Sequence, residues 1–150
     1  MDFARTNKRR TLLACCLLLL LVLSGCSGPT SSAPSPNADA SAAPPLKLDP
    51  SVDAKTLAAV KDRADVLVFD VREQWEYDEK HIPGVQLIPM NTVPARLSEI
   101  PKDKEVIVTC RSGNRSGQVV EFLRQQGFTN VHNMTGGILA WEAAGYAVER

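Results

Sequence analysis

The chain has 150 residues, of which 17 are basic and 17 acidic, so its formal net charge at neutral pH is zero. This length is enough for one compact domain. The charge balance lacks the basic excess of nucleic-acid-binding proteins, and two isolated histidines with four cysteines lack the spacing of a metal site.

The first 25 residues have the layout of a secretory signal peptide. Four basic residues precede an apolar run over residues 12–23, which is too short to span a bilayer comfortably. The run ends in Leu23-Ser24-Gly25-Cys26, which resembles the lipobox of bacterial lipoproteins. By that resemblance Cys26 is acylated on its sulfur and becomes the mature N-terminus, which predicts a protein outside the cytoplasm, anchored by lipid to a bacterial membrane. In the alternative, Cys26 is incidental and the protein is secreted or held by a single anchor.

Removal of the signal peptide changes both the charge and the cysteine count. It takes away four basic residues and one acidic residue, which leaves 13 basic and 16 acidic side chains and a net charge near −3. Cys15 and Cys16 leave with the signal, so Cys110 is the only free thiol of the mature protein and no disulfide can form within it. Residues 26–50 are rich in Pro, Ser and Ala and are predicted to be a disordered tether. Residues 51–150 remain for the folded domain.

Helical and strand patterns alternate from residue 51 onward. Apolar residues at helical spacing, after a possible cap at Ser51, predict a short helix around Leu57. Compact apolar runs predict buried strands over residues 66–69 and 106–108, with briefer strands over 85–88 and at Val131. Further helices are predicted over residues 73–79, 92–99, 117–126 and 138–144. This alternation predicts an α/β domain whose mostly parallel sheet is covered by helices on both faces.

The strand over residues 106–108 runs into a polar loop, Cys110-Arg111-Ser112-Gly113-Asn114-Arg115-Ser116. In a parallel sheet, ligands bind at the edge where the carboxyl ends of the strands meet, and the loop lies there. The helix that follows presents unpaired N–H groups and the positive end of its dipole, which favour a thiolate over a thiol. Arg111 and Arg115 add positive charge, and Gly113 allows the loop amides to curl around an anion. We therefore predict that the Cys110 sulfur is ionised and can be reached from solvent.

Four segments resemble motifs of the rhodanese family, in the same order and across essentially all of residues 51–150. The Cys110 loop resembles the family's active-site loop, in which four residues separate the cysteine from an arginine that precedes a small residue. The other segments are Asp70-Val71-Arg72-Glu73 with Trp75-Glu76-Tyr77, His81-Ile82-Pro83-Gly84-Val85 with Ile88-Pro89, and Gly136-Gly137-Ile138-Leu139-Ala140-Trp141 with Gly145-Tyr146. The resemblance implies a single rhodanese-like domain with a mostly parallel five-stranded sheet.

By the same resemblance, the chain is a thiosulfate-type sulfurtransferase that uses Cys110 as nucleophile and needs no metal or organic cofactor. The Cys110 thiolate takes the sulfane sulfur of a small donor, such as thiosulfate or a persulfide. The resulting Cys110 persulfide passes that sulfur to a thiol or to cyanide. Residues 111–116 would bind the donor, with Arg115 holding its anionic end, while Arg111 suits small anionic donors. The protein is expected to act as a monomer.

Asp70 and Arg72 end a strand next to the Cys110 strand, so we expect them at the rim of the same site. The resemblance implies that they brace the loop, and we predict an ion pair between Asp70 and Arg115. In the alternative, Asp70 caps its strand and Arg72 is solvated. Trp75 and Trp141 are interpreted as packing residues, and His132 as a surface residue.

Two other functions are weighed against sulfur transfer. The cell-cycle dual-specificity phosphatases resemble rhodanese domains, but five residues separate the cysteine and arginine of their loop, whereas four separate Cys110 from Arg115. Phosphatase or arsenate reductase chemistry is therefore disfavoured. A non-catalytic persulfide carrier or sulfur-binding partner would use the same Cys110 without rapid turnover, and the sequence does not exclude it.

Overall fold

The structure, a computed structural model, describes residues 46–150; the predicted signal peptide, Cys26 and most of the predicted tether lie outside this range. The five strands are β1 Ser51–Val52, β2 Val66–Asp70, β3 Gln86–Leu87, β4 Glu105–Thr109 and β5 Val131–Met134. The helices are α1 Ala54–Val60, α2 Gln74–Glu79, α3 Asn114–Gln125 and α4 Gly137–Ala143. Two 3-10 segments, Met90–Ala95 and Leu97–Glu99, lie between β3 and β4. Within residues 46–150, no helix is both long and apolar enough to cross a membrane.

The sheet has the strand order β1-β5-β4-β2-β3, and every pair of neighbouring strands is parallel. Side chains alternate along β4, so Val106 and Val108 belong to the apolar cluster on one face while Ile107 belongs to the cluster on the other. Helix α3 covers the first face, with Leu123 fully buried. Helices α1 and α4 cover the second. The predicted α/β fold, with a five-stranded parallel sheet and helices on both faces, is confirmed.

Three local predictions differ from the structure. Helix α1 is capped by Asp53, whose side chain accepts the N–H of Thr56 at 2.7 Å, while Ser51 instead begins the short strand β1. The predicted helix over residues 92–99 is replaced by the two 3-10 segments; Pro94, which lacks a backbone N–H, lies inside the first. Helix α3 begins at Asn114, three residues earlier than predicted, so the end of the polar loop forms its first turn.

Two assignments of large side chains are wrong. Trp75 is 69% exposed, because the inward position of helix α2 is taken by its neighbour Glu76. His132 is buried in β5, where its Nδ1 lies 2.7 Å from the carbonyl oxygen of Asp49 and its Nε2 lies 2.5 Å from the Glu105 carboxylate. Trp141 is buried as a packing residue, with its ring tilted against that of Tyr146.

The segment that precedes β1 reaches the sheet at the edge where the strands start. Leu46 lines a shallow depression there with Glu105 and Asn130, which stand at or just before the starts of β4 and β5. Farther along, the Pro50 carbonyl accepts the backbone N–H of Asn133 at 3.2 Å. The chain thus runs alongside β5, in the direction from the strand starts toward the carboxyl ends of the strands.

β2 and β4 end side by side at the other end of the sheet, away from the strand starts. Their last residues, Asp70 and Thr109, are in register there. Helix α4 begins against the loop that follows β4, since the Ile138 N–H donates to the Cys110 carbonyl at 2.8 Å and the Leu139 N–H donates to the Arg111 carbonyl at 3.2 Å. This contact requires a glycine at 137, where an added Cβ would lie 2.2 Å from the Cys110 carbonyl oxygen.

We expect Gly137→Ala to destabilise the domain far more than Gly145→Ala, a matched control. Both residues have positive φ, +53° and +81°, but an added Cβ at Gly145 would meet nothing within 4 Å. The control should lose about 1–2 kcal/mol through backbone strain alone. Gly137→Ala should lose about 1–3 kcal/mol more, because the loop must move away from helix α4. Urea denaturation measures both free energies of unfolding, and equal losses would contradict the close approach.

Candidate active site

The Cys110 side chain lies between the end of β4 and the start of α3, and hydrogen-bond donors surround its sulfur. The backbone N–H of Gly113 donates to Sγ at 3.1 Å, and the Ser116 hydroxyl oxygen lies 3.3 Å from Sγ. Gly113 has φ +93°, and an added Cβ would lie 3.0 Å from the backbone nitrogen of Gly136. The tight turn that aims the loop amides at the sulfur therefore depends on glycine at this position.

The pKa of the Cys110 thiol reflects two opposing effects. Burial raises the pKa, because it disfavours the charged thiolate. Hydrogen bonds from the Ser116 hydroxyl and from the backbone N–H groups of Ser116, Ser112 and Gly113 stabilise the thiolate and lower the pKa. The donors prevail, so the pKa of Cys110 lies below its usual value. The loop therefore favours the nucleophilic form of the sulfur.

The prediction that Cys110 can be reached from solvent is wrong for this conformation. The residue is 1% exposed and belongs to the apolar cluster on the α3 side of the sheet. The loop and this apolar cluster together leave the residue almost no exposed surface. A second molecule can therefore react with Sγ only when part of this cover moves aside.

Arg115 pairs with Glu76 and not, as predicted, with Asp70. Its two terminal nitrogens lie 2.6 and 2.7 Å from the two carboxylate oxygens of Glu76, a bidentate geometry. Asp70 instead accepts from the side chain and the backbone N–H of Arg72, at 2.7 and 2.9 Å. Asp70 is paired with Arg72, the cation nearest to it along the chain. Glu76 lies at the inward position of helix α2 and is therefore next to Arg115. The alternative in which Arg72 is solvated is also wrong, because Arg72 is buried.

Arg72 joins the end of β2 to helix α2. Its NH1 donates to the Glu76 carbonyl at 3.1 Å, and its NH2 donates to the Lys80 carbonyl at 2.8 Å. Burial raises the pKa of Asp70 despite the adjacent Arg72 guanidinium. Asp70 and Arg72 thus hold the helix that carries Glu76, the residue that pairs with Arg115.

Glu76 is a site residue to which the sequence analysis assigned no role. The Arg115 guanidinium lowers the pKa of the Glu76 carboxyl to about 2, helped by a hydrogen bond from the backbone N–H of Glu73. Glu76 lies in the segment that resembles the rhodanese motif, but nothing in its spacing distinguishes it from other glutamates of helix α2. Its inward position depends on where that helix packs.

Asn133 on β5 is a second residue that the sequence analysis missed. Its side-chain Oδ1 lies 2.7 Å from the Ser116 hydroxyl oxygen, and its Nδ2 donates to the Gly113 carbonyl at 3.2 Å. Asn133 therefore contacts two of the residues that donate hydrogen bonds to the sulfur. It comes 17 residues after Ser116 along the chain, so only the pairing of β5 with β4 brings them together.

A cleft of about 270 Å³ opens beside the Cys110 loop. Trp75 and Leu139, at 69% and 46% exposure, are the exposed large apolar residues of the described chain, and both line this cleft. Arg111 also lines it, and within residues 46–150 its side chain makes no hydrogen bond or ion pair. The remaining lining residues are Arg72, Glu76, Glu79, Lys80 and Ile138. The cleft thus combines apolar surface with a free cation next to the loop.

Comparisons with known proteins show which family the chain resembles. The profile of the family described as Rhodanese-like domain matches residues 53–144. A sulfurtransferase of Allochromatium vinosum is 42% identical over 98 residues, which cover 65% of this chain and 92% of that protein. The thiosulfate sulfurtransferase GlpE of Pseudoalteromonas translucida is 35% identical, over 61% of this chain and 86% of its own length. The crystal structure of a rhodanese-related protein from Thermoplasma volcanium superposes with a TM-score of 0.60 at 34% identity, covering 66% of this chain and 96% of that one.

We expect Glu76→Gln to lower the free energy of unfolding by about 1–3 kcal/mol, because the half-buried Arg115 loses its charged partner. Glu99→Gln is the matched control, since Glu99 makes a bidentate pair with Arg96 that is open to solvent and should contribute little. Urea denaturation at neutral pH measures both effects. Similar losses in the two variants would contradict the special role of Glu76.

The lowered pKa of Glu76 also determines how this contribution depends on pH. A carboxyl whose pKa falls from 4.5 to about 2 on folding adds stability that is fully present above pH 4.5 and is lost as the pH falls toward 2. The wild-type domain should therefore lose more stability over this range than Glu76→Gln. The free energies of unfolding of the two proteins, measured by urea denaturation at each pH, should therefore approach each other as the pH falls toward 2.

Proposed function

The chain belongs to the rhodanese-like domain family, and we propose on this basis that it is a rhodanese-type sulfurtransferase that carries sulfane sulfur as a persulfide on Cys110. One observation carries the proposal most directly. The Cys110 sulfur accepts hydrogen bonds from a loop whose donors lower the thiol pKa despite burial. Such an arrangement favours the thiolate, the nucleophilic form of the sulfur, through hydrogen bonds from the loop itself.

Thiosulfate is the donor that we propose. The Cys110 thiolate attacks the outer sulfur of thiosulfate and forms a new S–S bond. The original bond between the two sulfur atoms of thiosulfate breaks, and its electron pair leaves with sulfite. The negative charge of the enzyme is then on the outer sulfur of the persulfide. Cyanide or an acceptor thiolate attacks that outer sulfur, so thiocyanate or a new persulfide leaves and the Cys110 thiolate returns.

Arg111 is the cation best placed to bind the donor. Each terminal nitrogen of Arg115 donates to one carboxylate oxygen of Glu76, so the positive charge of Arg115 is largely neutralised. Arg111 has no such partner within residues 46–150 and lines the cleft next to the loop. We therefore assign to Arg111 the electrostatic attraction of an anionic donor, and to Arg115 the shape of the loop.

A non-catalytic persulfide carrier is the second candidate, and the burial of Cys110 favours it. A cysteine residue that is 1% exposed reacts with a free donor only when its cover opens, which would limit steady turnover. A partner protein that displaces the loop could still load and unload it. The phosphatase alternative has no comparable support, because the loop has one residue fewer than a phosphate ester requires.

Turnover and persulfide formation separate these functions. The wild-type protein should form thiocyanate from thiosulfate and cyanide at steady state, and its intact mass should rise by one sulfur atom after incubation with thiosulfate alone. Cys110→Ser should lose both signals, whereas Cys26→Ser should keep both. Arg111→Ala should raise the KM for thiosulfate about tenfold or less, as expected for one charge-assisted contact. A stable persulfide without thiocyanate would favour the carrier, and no gain in mass would contradict thiosulfate as the donor in either function.

We further propose that the N-terminal segment is a lipoprotein signal and that Cys26 anchors the domain outside the cytoplasm. The support is the order of basic residues, apolar run and Leu23-Ser24-Gly25-Cys26 in the sequence. When the full chain is expressed in bacteria, labelled fatty acid should be incorporated into the wild type and into Cys16→Ser. Cys26→Ser should remain unlabelled and unprocessed, and a labelled Cys26→Ser protein would contradict the assignment.

A further inference from the structure

The Asn133 side chain links two of the residues that donate hydrogen bonds to the Cys110 sulfur, Gly113 and Ser116. Its Nδ2 donates to the carbonyl of Gly113, whose N–H donates to Sγ at 3.1 Å. Its Oδ1 lies 2.7 Å from the hydroxyl oxygen of Ser116, which lies 3.3 Å from Sγ. In the hydrogen bonds of residues 46–150, the Asn133 side chain has no other partner. It is therefore well placed to act on the sulfur through its neighbours.

The donor and acceptor chemistry determines the direction of each bond. A carbonyl can only accept, so the NH₂ group of Asn133 faces Gly113 and its oxygen faces Ser116. That oxygen carries no hydrogen, so Ser116 must be the donor. A hydroxyl has a single hydrogen, and Ser116 therefore cannot donate to Asn133 and to the Cys110 sulfur at the same time.

We propose that Asn133 is a positioning residue for sulfur transfer, which competes with the Cys110 sulfur for the hydroxyl hydrogen of Ser116. While Cys110 is a thiol, the hydrogen points to Asn133 at the usual distance of an O–H···O bond. When the thiol releases its proton to solvent, the hydroxyl turns and donates to the thiolate. In the persulfide the charge is on the outer sulfur and Sγ is neutral, so the hydrogen returns to Asn133. This inference rests on the proposed function, but it concerns the ionisation of Cys110, which is measured without any sulfur donor.

The competition gives opposite expectations for two substitutions. Removal of the acceptor at position 133 leaves the Ser116 hydrogen to the sulfur and favours the thiolate. A stronger, negatively charged acceptor holds the hydrogen and disfavours the thiolate. A residue that only kept the loop in shape would act differently, because either substitution would loosen the donors and disfavour the thiolate.

The charged groups around the sulfur come from other elements and stay in place in these variants. Arg115 on α3 is coupled electrostatically to Cys110, and Glu76 on α2 and Asp70 at the end of β2 are coupled to Arg115. Arg72 is bonded to Asp70. Asn133 forms hydrogen bonds with none of these four residues within the described chain. A change in Cys110 ionisation can therefore be assigned to the Ser116 hydrogen and, in one variant, to the added charge.

The experiment follows the ultraviolet absorbance of the thiolate against pH in the full chain. The background carries Cys15→Ser, Cys16→Ser and Cys26→Ser, so that Cys110 is the only thiol. Asn133→Leu, which keeps the size of the side chain, should raise the acid dissociation constant of Cys110 about fivefold, the effect of one hydrogen bond. Asn133→Asp should lower the constant by at least as much. Alkylation by iodoacetamide below the pKa should accelerate in the first variant and slow in the second.

Two controls make the test specific. Gln125→Leu, at the far end of helix α3, removes an exposed amide and should leave the constant unchanged. In a Ser116→Ala background, Asn133→Leu should have no effect, because there is no hydroxyl hydrogen to release. If Asn133→Leu fails to fold, Asn133→Ala replaces it and should also raise the acid dissociation constant of Cys110.

The inference is overturned if both substitutions disfavour the thiolate, or if the effect of Asn133→Leu persists without Ser116. Its outcome is distinct from that of the proposed function. Expected shifts in ionisation with no persulfide after thiosulfate would contradict only the use of thiosulfate as the donor. Persulfide formation without those shifts would contradict the role of Asn133 alone.

Discussion

The sulfur-transfer role proposed for Cys110 needs a negatively charged sulfur at a position that is almost closed to water, and the hydrogen-bond donors around the sulfur favour that charge. Burial opposes the thiolate, whereas amides of the loop and the Ser116 hydroxyl stabilise it more strongly. These donors converge only because β4 ends directly before helix α3 and because Gly113 allows the tight turn between them. Helix α4 approaches the same loop closely at Gly137, and its first N–H groups donate to the carbonyls of Cys110 and Arg111. The fold thus determines the protonation of one sulfur atom.

A buried ionic network extends this control from the loop to the neighbouring strand. Asp70 holds Arg72, Arg72 holds the backbone of helix α2, and Glu76 of that helix holds Arg115. Each charged group has its partner, which offsets much of the cost of burying it. The two arginines of the loop, Arg111 and Arg115, therefore have different environments. The charge of Arg115 is used within the protein, and that of Arg111 is available to a ligand.

Much of this arrangement could be predicted from the sequence, because it depends on neighbouring residues. The strand before Cys110, the polar loop and the helix after it are contiguous, so their order alone predicts a thiol at a helix N-terminus. The partner of Arg115 was predicted incorrectly, since Asp70 and Glu76 are both plausible until the orientation of helix α2 is known. Trp75 was misassigned for the same reason. Asn133 was missed because it meets Ser116 only through the lateral pairing of strands, which leaves no local signal in the sequence. The predicted signal peptide and lipid anchor concern residues outside the described range and remain proposals.

The entry of the chain into the domain has a mechanical consequence. Leu46 lies where the strands start, and the chain then runs along the edge of the sheet to β1, while Cys110 lies beyond the opposite, carboxyl ends. A force transmitted through the residues before Leu46 would first load the strand starts and the bonds of His132 and Pro50. The Pro50 carbonyl accepts the backbone N–H of Asn133, whose side chain contacts Gly113 and Ser116, so the same force would pass to the Cys110 loop through one residue of β5. The Cys110 loop is thus mechanically linked, through Asn133, to the chain that enters the domain.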